Sequence, residues 1–343
     1  MYHTIGLSNI ADLLYKTRKF SILDFQGICS RVLDLLRQHQ QFEAKTLVVL
    51  LYRLAKHTEG IQLISNELII AWINQANNVI DSSFNAQDLS NTIYAFRLLE
   101  RTPSVEFIES FFERSVNIMS SFNSQGLSNT IHALGSLSVI PPNEFLESFF
   151  ERSVNIMSSF NSQGLSNTIH ALGRLSVMPP NEFLESFFER SVNIMSSFKA
   201  QELSNTINAF WHLNIIPPNE FIESFFEHCI NIMSSFNSQD LSNTIHALGR
   251  LNIIPPNEFI ERFFKRSLNV INSFKAQELS NTIHGLKNLG NIPPKEFLGS
   301  FFERSVNIIN SFKAQELSNT IHALGHLSII PPKEFIESFF KHC

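Results

Sequence analysis

Apolar residues in this chain return at mixed three- and four-residue spacings, and then the whole pattern returns again. In the segment SFNSQGLSNTIHALGSLSVIPPNEFLESFFERSVNIM, residues 125–137 set Leu127, Ile131, Leu134 and Leu137 on one side. Residues 143–160 carry a broader stripe of Phe145, Leu146, Phe149, Phe150, Val154 and Met157, with Glu144, Glu147 and Glu151 opposite. Such spacing predicts two amphipathic helices, and the lack of sustained two-residue alternation leaves no place for strands. Pro141-Pro142 suits the start of the second helix, since the missing N–H would have no partner there. Ser138-Val139-Ile140 leads into that proline pair and ends the first helix. Asn237 followed by Asp240 has the spacing of a capping box. The LSNTI helix is termed B and the Pro-Pro helix A.

The marker leucine of helix B falls at Leu89, Leu127, Leu165, Leu203, Leu241, Leu279 and Leu317, always 38 residues apart. Degraded copies begin at Leu7 and Leu47, which makes about nine repeats. A period of this length marks a solenoid, because one helix pair cannot bury its apolar face without neighbours. The expected fold is therefore all-α: an α-solenoid (superhelix) of about nine helix–turn–helix repeats of 38 residues. Residues 1–83 are read as divergent N-terminal repeats acting as a cap, and residues 84–343 as regular repeats in one continuous solenoid. The cap is expected not to read a base, because Val48, Val49 and Leu50 replace the polar residues of later B helices.

Composition narrows the function classes. The charge sum is 26 − 31 = −5, which does not describe a strongly basic nucleic-acid binder. Phenylalanine supplies 33 of the aromatic residues against 2 Trp and 4 Tyr, and its place in helix A marks it as core. No apolar run approaches the ~18 residues of a membrane span. The opening MYHTIGLSNIADLLYK lacks the basic-then-apolar order of a secretory signal. Cys29, Cys229 and Cys343 make no disulfide framework and no metal spacing. A soluble, intracellular protein is expected, cytoplasmic or within an organelle or host cell, with no membrane partner.

The run F-x-x-Q-E-L-S-N-T-I, then His-Ala-Leu-Gly, then Pro-Pro and a Phe-rich helix, resembles the octotricopeptide repeat (OPR) family. The period matches throughout residues 84–343 and more loosely from residue 7. The resemblance implies 38-residue helix pairs, an α-solenoid and sequence-specific RNA binding in post-transcriptional control. At the family's tryptophan position this chain has Tyr94, His132, His170 or Asn208. Related helix-pair solenoids imply a right-handed superhelix with helix B on the concave face.

Variation between repeats is concentrated in helix B. The residue before its last leucine reads Leu98, Ser136, Arg174, His212, Arg250, Asn288 and His326. The residue before that is Gly135, Gly173, Gly249 or Gly325 in four repeats, but Arg97, Trp211 and Lys287 in the others. Four residues ahead of the variable position stand Tyr94, His132, His170, Asn208, His246, His284 and His322. Three earlier again come Asn91, Asn129, Asn167, Asn205, Asn243, Asn281 and Asn319, and four before those Gln87 and its equivalents. These offsets share one helical face, a polar frame with one variable letter per repeat.

Two ligands fit such a face. Single-stranded RNA would be read by the variable residues, with the asparagines and rings as frame, Arg97 and Lys287 as auxiliary cations, and about seven to nine nucleotides spanned at one per repeat. A protein scaffold would take an extended peptide or partner in the same groove. Asparagines bonded into a structural ladder are the blander alternative. The acidic residues gather on helix A (Glu182, Glu185, Glu189) or cap helix B (Glu202, Asp240, Glu278, Glu316), and the histidines are expected to gain charge beside phosphate. No catalytic residue is expected, since a residue repeated seven times makes no asymmetric site. No cofactor and no metal are expected either. His322 and His326 have zinc-like spacing without a third ligand, and histidines of successive repeats should stand about 10 Å apart.

Overall fold

The computed structural model describes residues 6–17, 20–38 and 42–342. Cys343 lies outside them. No strand occurs among the described residues; nineteen α-helices do. The B helices are α1 (Leu7–Lys16), α3 (Ala44–Lys56), α6 (Ala86–Leu98), α8 (Ser124–Leu137), α10 (Ser162–Leu175), α12 (Ala200–Leu213), α14 (Ser238–Leu251), α16 (Ala276–Asn288) and α18 (Ala314–His326). The A helices are α2 (Ile22–Arg37), α4 (Asn66–Asn77), α7 (Val105–Asn117), α9 (Asn143–Asn155), α11 (Asn181–Asn193), α13 (Asn219–Ile232), α15 (Asn257–Val270), α17 (Lys295–Asn307) and α19 (Lys333–His342), with α5 (Ile80–Ser83) a short turn after α4. The repeats form an α-solenoid grouped into two compact units. The first runs to Ser159 and includes Pro179–Phe183; the second takes Phe160–Met178 and the described chain from Leu184.

Helix A is shorter than its apolar pattern suggested. α9 ends at Asn155, Ile156 leaves the helical region at φ −120°, and one 3-10 turn spans Met157–Ser159. The turn frees the following phenylalanine to enter the core in extended backbone, so that Phe122 and Phe160 are each only 1 % exposed. A cation on helix A then locks the turn. The Nε atoms of Arg114 and Arg152 donate to the carbonyls of Phe84 and Phe122, and Arg190, Arg266 and Arg304 repeat the bond to Phe160, Phe236 and Phe274.

Helix B begins and ends by local chemistry. Asn237 and Asp240 make the expected capping box, each side chain bonded to the other's backbone N–H. From α6 onward the stop is a left-handed residue in each repeat: Glu100, Ser138, Ser176, Asn214, Asn252, Gly290 and Ser328, all with positive φ. Each is followed by a bond from the next N–H back to the helix, as from Val139 to the Leu134 carbonyl, the Schellman pattern. The chain then runs extended, so alternate residues face in and out. Ile215 and Ile253 are buried, whereas Ile216 and Ile254 are 73 % and 74 % exposed. Met178, Ile292 and Ile330 continue this outward aliphatic row in the second unit.

Side-chain size separates the two layers. Phenylalanines meet between A helices of adjacent repeats, Phe112 with Phe145 at 5.1 Å between ring centroids and Phe226 with Phe259 at 5.2 Å. Serine, alanine and glycine meet between B helices, and successive B helices approach much more closely than successive A helices. Bulk on one layer and small residues on the other give the two layers different helix spacings within each unit.

Candidate nucleic-acid interface

Helix B presents the polar frame outward within each unit. The asparagines from Asn91 to Asn319 are half-buried and the glutamines ahead of them exposed. Among the described residues, no side-chain amide of this asparagine row is hydrogen-bonded to the protein, and none is sealed from solvent. The structural-ladder alternative therefore does not describe them. Serine carries that role: Ser90 donates to the Gly126 carbonyl of the next B helix, and Ser166, Ser242 and Ser280 donate to Glu202, Glu278 and Glu316. Nothing in the LSNTI run signals that its adjacent Ser and Asn divide the work this way. In the first unit the row opens into a cleft of about 410 Å³ lined by Gln87, Asn91, Gln125, Asn129, the caps Asn85 and Asn123, and the small residues beside them.

The variable residues sit at the end of helix B nearest the left-handed turn. Arg174, His212, Arg250 and His326 are exposed; Ser136 and Asn288 are half-buried. Arg97 Nε lies 3.3 Å from Ser136 Oγ, and its guanidinium stands 5.2 Å from the Tyr94 ring centroid. In the second unit Trp211, which replaces the usual glycine, packs against the rings of His212 and His246 at 4.2 and 4.9 Å, with Arg250 5.3 Å over its face. Trp211, His212, His246, Arg250 and His284 thus form one cluster. His322 and His326 are exposed on α18, outside it. Half-buried Asn208 fills the ring position of α12, Lys287 is half-buried beside Asn288, and His132 is half-buried in the first unit.

One expectation about the histidines fails. The rings of His246 and His284 are 5.6 Å apart, not about 10 Å, because Gly249 and Gly285 let α14 and α16 close together. Burial pushes His246 down to about 4, assisted by His284, Arg250 and His212. Burial also lowers His170, His212 and His284, with Arg174 beside the first and Lys287 beside the last adding to it. His170, His212, His246 and His284 are thus biased towards the neutral form, with Arg174 and Arg250 beside them, and a neutral imidazole suits stacking.

Among the described residues no three His, Cys, Asp or Glu side chains could hold a metal ion. No described helix is long and apolar enough to cross a membrane. Cys29 and Cys229 are buried and unpaired, and burial pushes the Cys29 thiol up to about 12.

A family model described as RNA-editing substrate-binding complex 6 protein matches residues 60–191 and again residues 180–333. The chain belongs to that family. The RNA-editing substrate-binding complex 6 match begins after α3 and runs through the regular repeats in two successive stretches, as a helical-repeat family would. Among structures, an engineered protein is similar at 13% identity over 98% of this chain and 92% of that one, with a TM-score of 0.43. A homology model of the full-length AP-3 complex follows at 12% identity, over 97% of this chain and 66% of that one, with a TM-score of 0.34. Superpositions this loose carry no argument. No curated protein matches the chain in sequence.

Proposed function

We propose that the B face of this RNA-editing substrate-binding complex 6 family member binds single-stranded RNA in a sequence-dependent way, with about one nucleotide per repeat, and does no chemistry on it. The observation that carries this reading is the asparagine row: half-buried amides, repeated at one helical position, that bond to nothing in the protein. A mid-helix Asn lowers helix propensity, so its repetition without an internal partner points to an external one. The rings beside it offer π-faces for bases, and Ser136, Arg174, His212, Arg250, Asn288 and His326 supply the edge donors and acceptors that vary. The family's RNA-editing context and the octotricopeptide-like period both support this, and a role in post-transcriptional control inside the cell follows from the ligand. Binding is expected to be modest and salt-sensitive, since few cations line the face.

A protein partner is the second reading. The outward row of Met178, Ile216, Ile254, Ile292 and Ile330 favours it. A selection of random RNA with the purified protein tests the first: an enriched motif of seven or more bases supports it. Failure to enrich any sequence would overturn it.

A further inference from the structure

The row of rings does not stop where the regular repeats do. Tyr52 follows Leu47 by five residues, as Tyr94 follows Leu89, and Lys56 takes the variable position of that repeat. α3 packs directly against α6, and the Tyr52 and Tyr94 rings lie 6.2 Å apart, inclined by 40°. Both rings are half-buried, and neither phenol hydrogen-bonds to the protein. Cations gather on them: Lys56 Nζ is 4.6 Å from the Tyr52 centroid, Arg53 Cζ 5.8 Å from it, and Arg97 Cζ 5.2 Å from Tyr94. No described carboxylate forms an ion pair with Lys56 or Arg97. One repeat further on, α1 carries Asp12 at the ring position, and the row ends.

Later repeats present imidazole rings and amides with single cations such as Arg174, Arg250 and Lys287, whereas this end gathers two phenols and three cations. Lys56 and Arg97 form no ion pair with a described carboxylate, and an aromatic face beside such charge is the chemistry of a nucleotide: base on ring, phosphate on cation. We propose that α3 carries an end subsite of the RNA path, where Tyr52 stacks the last base of a bound single strand and Lys56 and Arg97 neutralise the phosphates beside it. This rests on the RNA reading above, and it replaces the expectation that the N-terminal repeats only cap the solenoid.

The test uses RNA selected from a random pool by the full-length protein, then shortened one nucleotide at a time from each end. Removing the nucleotide at the α3 end should cost the wild type about tenfold in affinity. Tyr52→Ala should bind the full RNA about tenfold more weakly and lose nothing more on that shortening, while Tyr52→Trp restores both behaviours. Lys56→Glu, on an exposed side chain that cannot disturb the core, should weaken binding and reduce the salt slope by about one. Equal shortening penalties in wild type and Tyr52→Ala, with Lys56→Glu binding as wild type, would overturn the subsite and leave the RNA reading standing. A pool that yields no RNA to the wild type would overturn both.

Discussion

A Cβ atom added to Gly249 of α14 would lie 2.5 Å from the carbonyl oxygen of Gly285 on α16, and one added to Gly285 would lie 2.5 Å from the Ile245 carbonyl. The two helices touch backbone to backbone, and this contact brings His246 against His284. Gly285→Ala should therefore cost about 1–3 kcal/mol by overpacking. Gly299, exposed on α17 with nothing within 4 Å of its would-be Cβ, should behave oppositely. Gly299→Ala is expected to stabilise by about 0.5–1 kcal/mol, because only helix propensity changes. Urea titration of the two variants distinguishes them.

The arginine that closes each A–B turn is a structural group, not a phosphate ligand. Arg152 Nε donates to the Phe122 carbonyl at 3.0 Å, and in two repeats a histidine takes the same place, His228 Nε2 against Phe198 at 2.8 Å and His342 Nε2 against Phe312 at 3.2 Å. Arg152→Met should cost about 1–3 kcal/mol through the half-buried carbonyl left without its partner. RNA affinity at saturating protein stability should not change. Glu151→Gln next to it should stay within about 0.5 kcal/mol.

The left-handed turn residue after helix B is glycine only at Gly290, with φ 65°; Glu100 holds the same place at φ 52°. A glutamate pays the Cβ penalty there and glycine does not. Glu100→Gly is expected to raise the stability of the first unit by roughly 0.5–1 kcal/mol, and Gly290→Ala to lower that of the second by a similar amount. Thermal melts of both variants would show opposite shifts.

Acid should destabilise the second unit through its histidines. His246 is held at about 4 against 6.5 unfolded, by burial first and then by His284, Arg250 and His212. Its folded value is the lower one, so between pH 6.5 and about 4 the unfolded chain binds the extra proton. Its contribution is whole above pH 6.5 and is lost as pH falls through that window. Burial raises Asp88 and Asp240, whose contributions have the opposite sign at acid pH. The difference between wild type and His246→Gln isolates the imidazole: the wild type should lose roughly 2 kcal/mol more between pH 7.5 and 4.5. Parallel denaturation curves at both pH values would refute the assignment.

If the variable position reads a base, exchanging one letter should change one letter of the RNA. Arg174→Asn is expected to alter preference at a single base by about 1–3 kcal/mol, by analogy with bidentate arginine–guanine pairs. Replacing His132, His170 and His246 by Ala should weaken all sequences instead, at roughly 1–3 kcal/mol per lost stack. Glu147→Gln and Glu185→Gln on helix A should leave preference untouched. Identical selected motifs for wild type and Arg174→Asn would make the position ordinary surface.

Periodicity alone determined the solenoid. Leucine every 38 residues, apolar stripes at helical spacing and Pro-Pro before each A helix are local signals, and local hydrogen bonding obeys them: α9 begins at Asn143, and Asn237 caps α14 with Asp240. Which face of helix B looks outward was also legible, because residues 3.6 to a turn share a side whatever packs behind them. What only tertiary structure decided are distances and partners between repeats. The B-helix separation depends on the glycines meeting each other in register, and that register is absent from the spacing within any one repeat. The same contact sets how deeply His246 and His284 are buried, and so pushes both imidazoles towards the neutral form. Tyr52 was hidden for a related reason. Its repeat had lost the asparagine frame, and only the packing of α3 on α6 places its ring beside Tyr94.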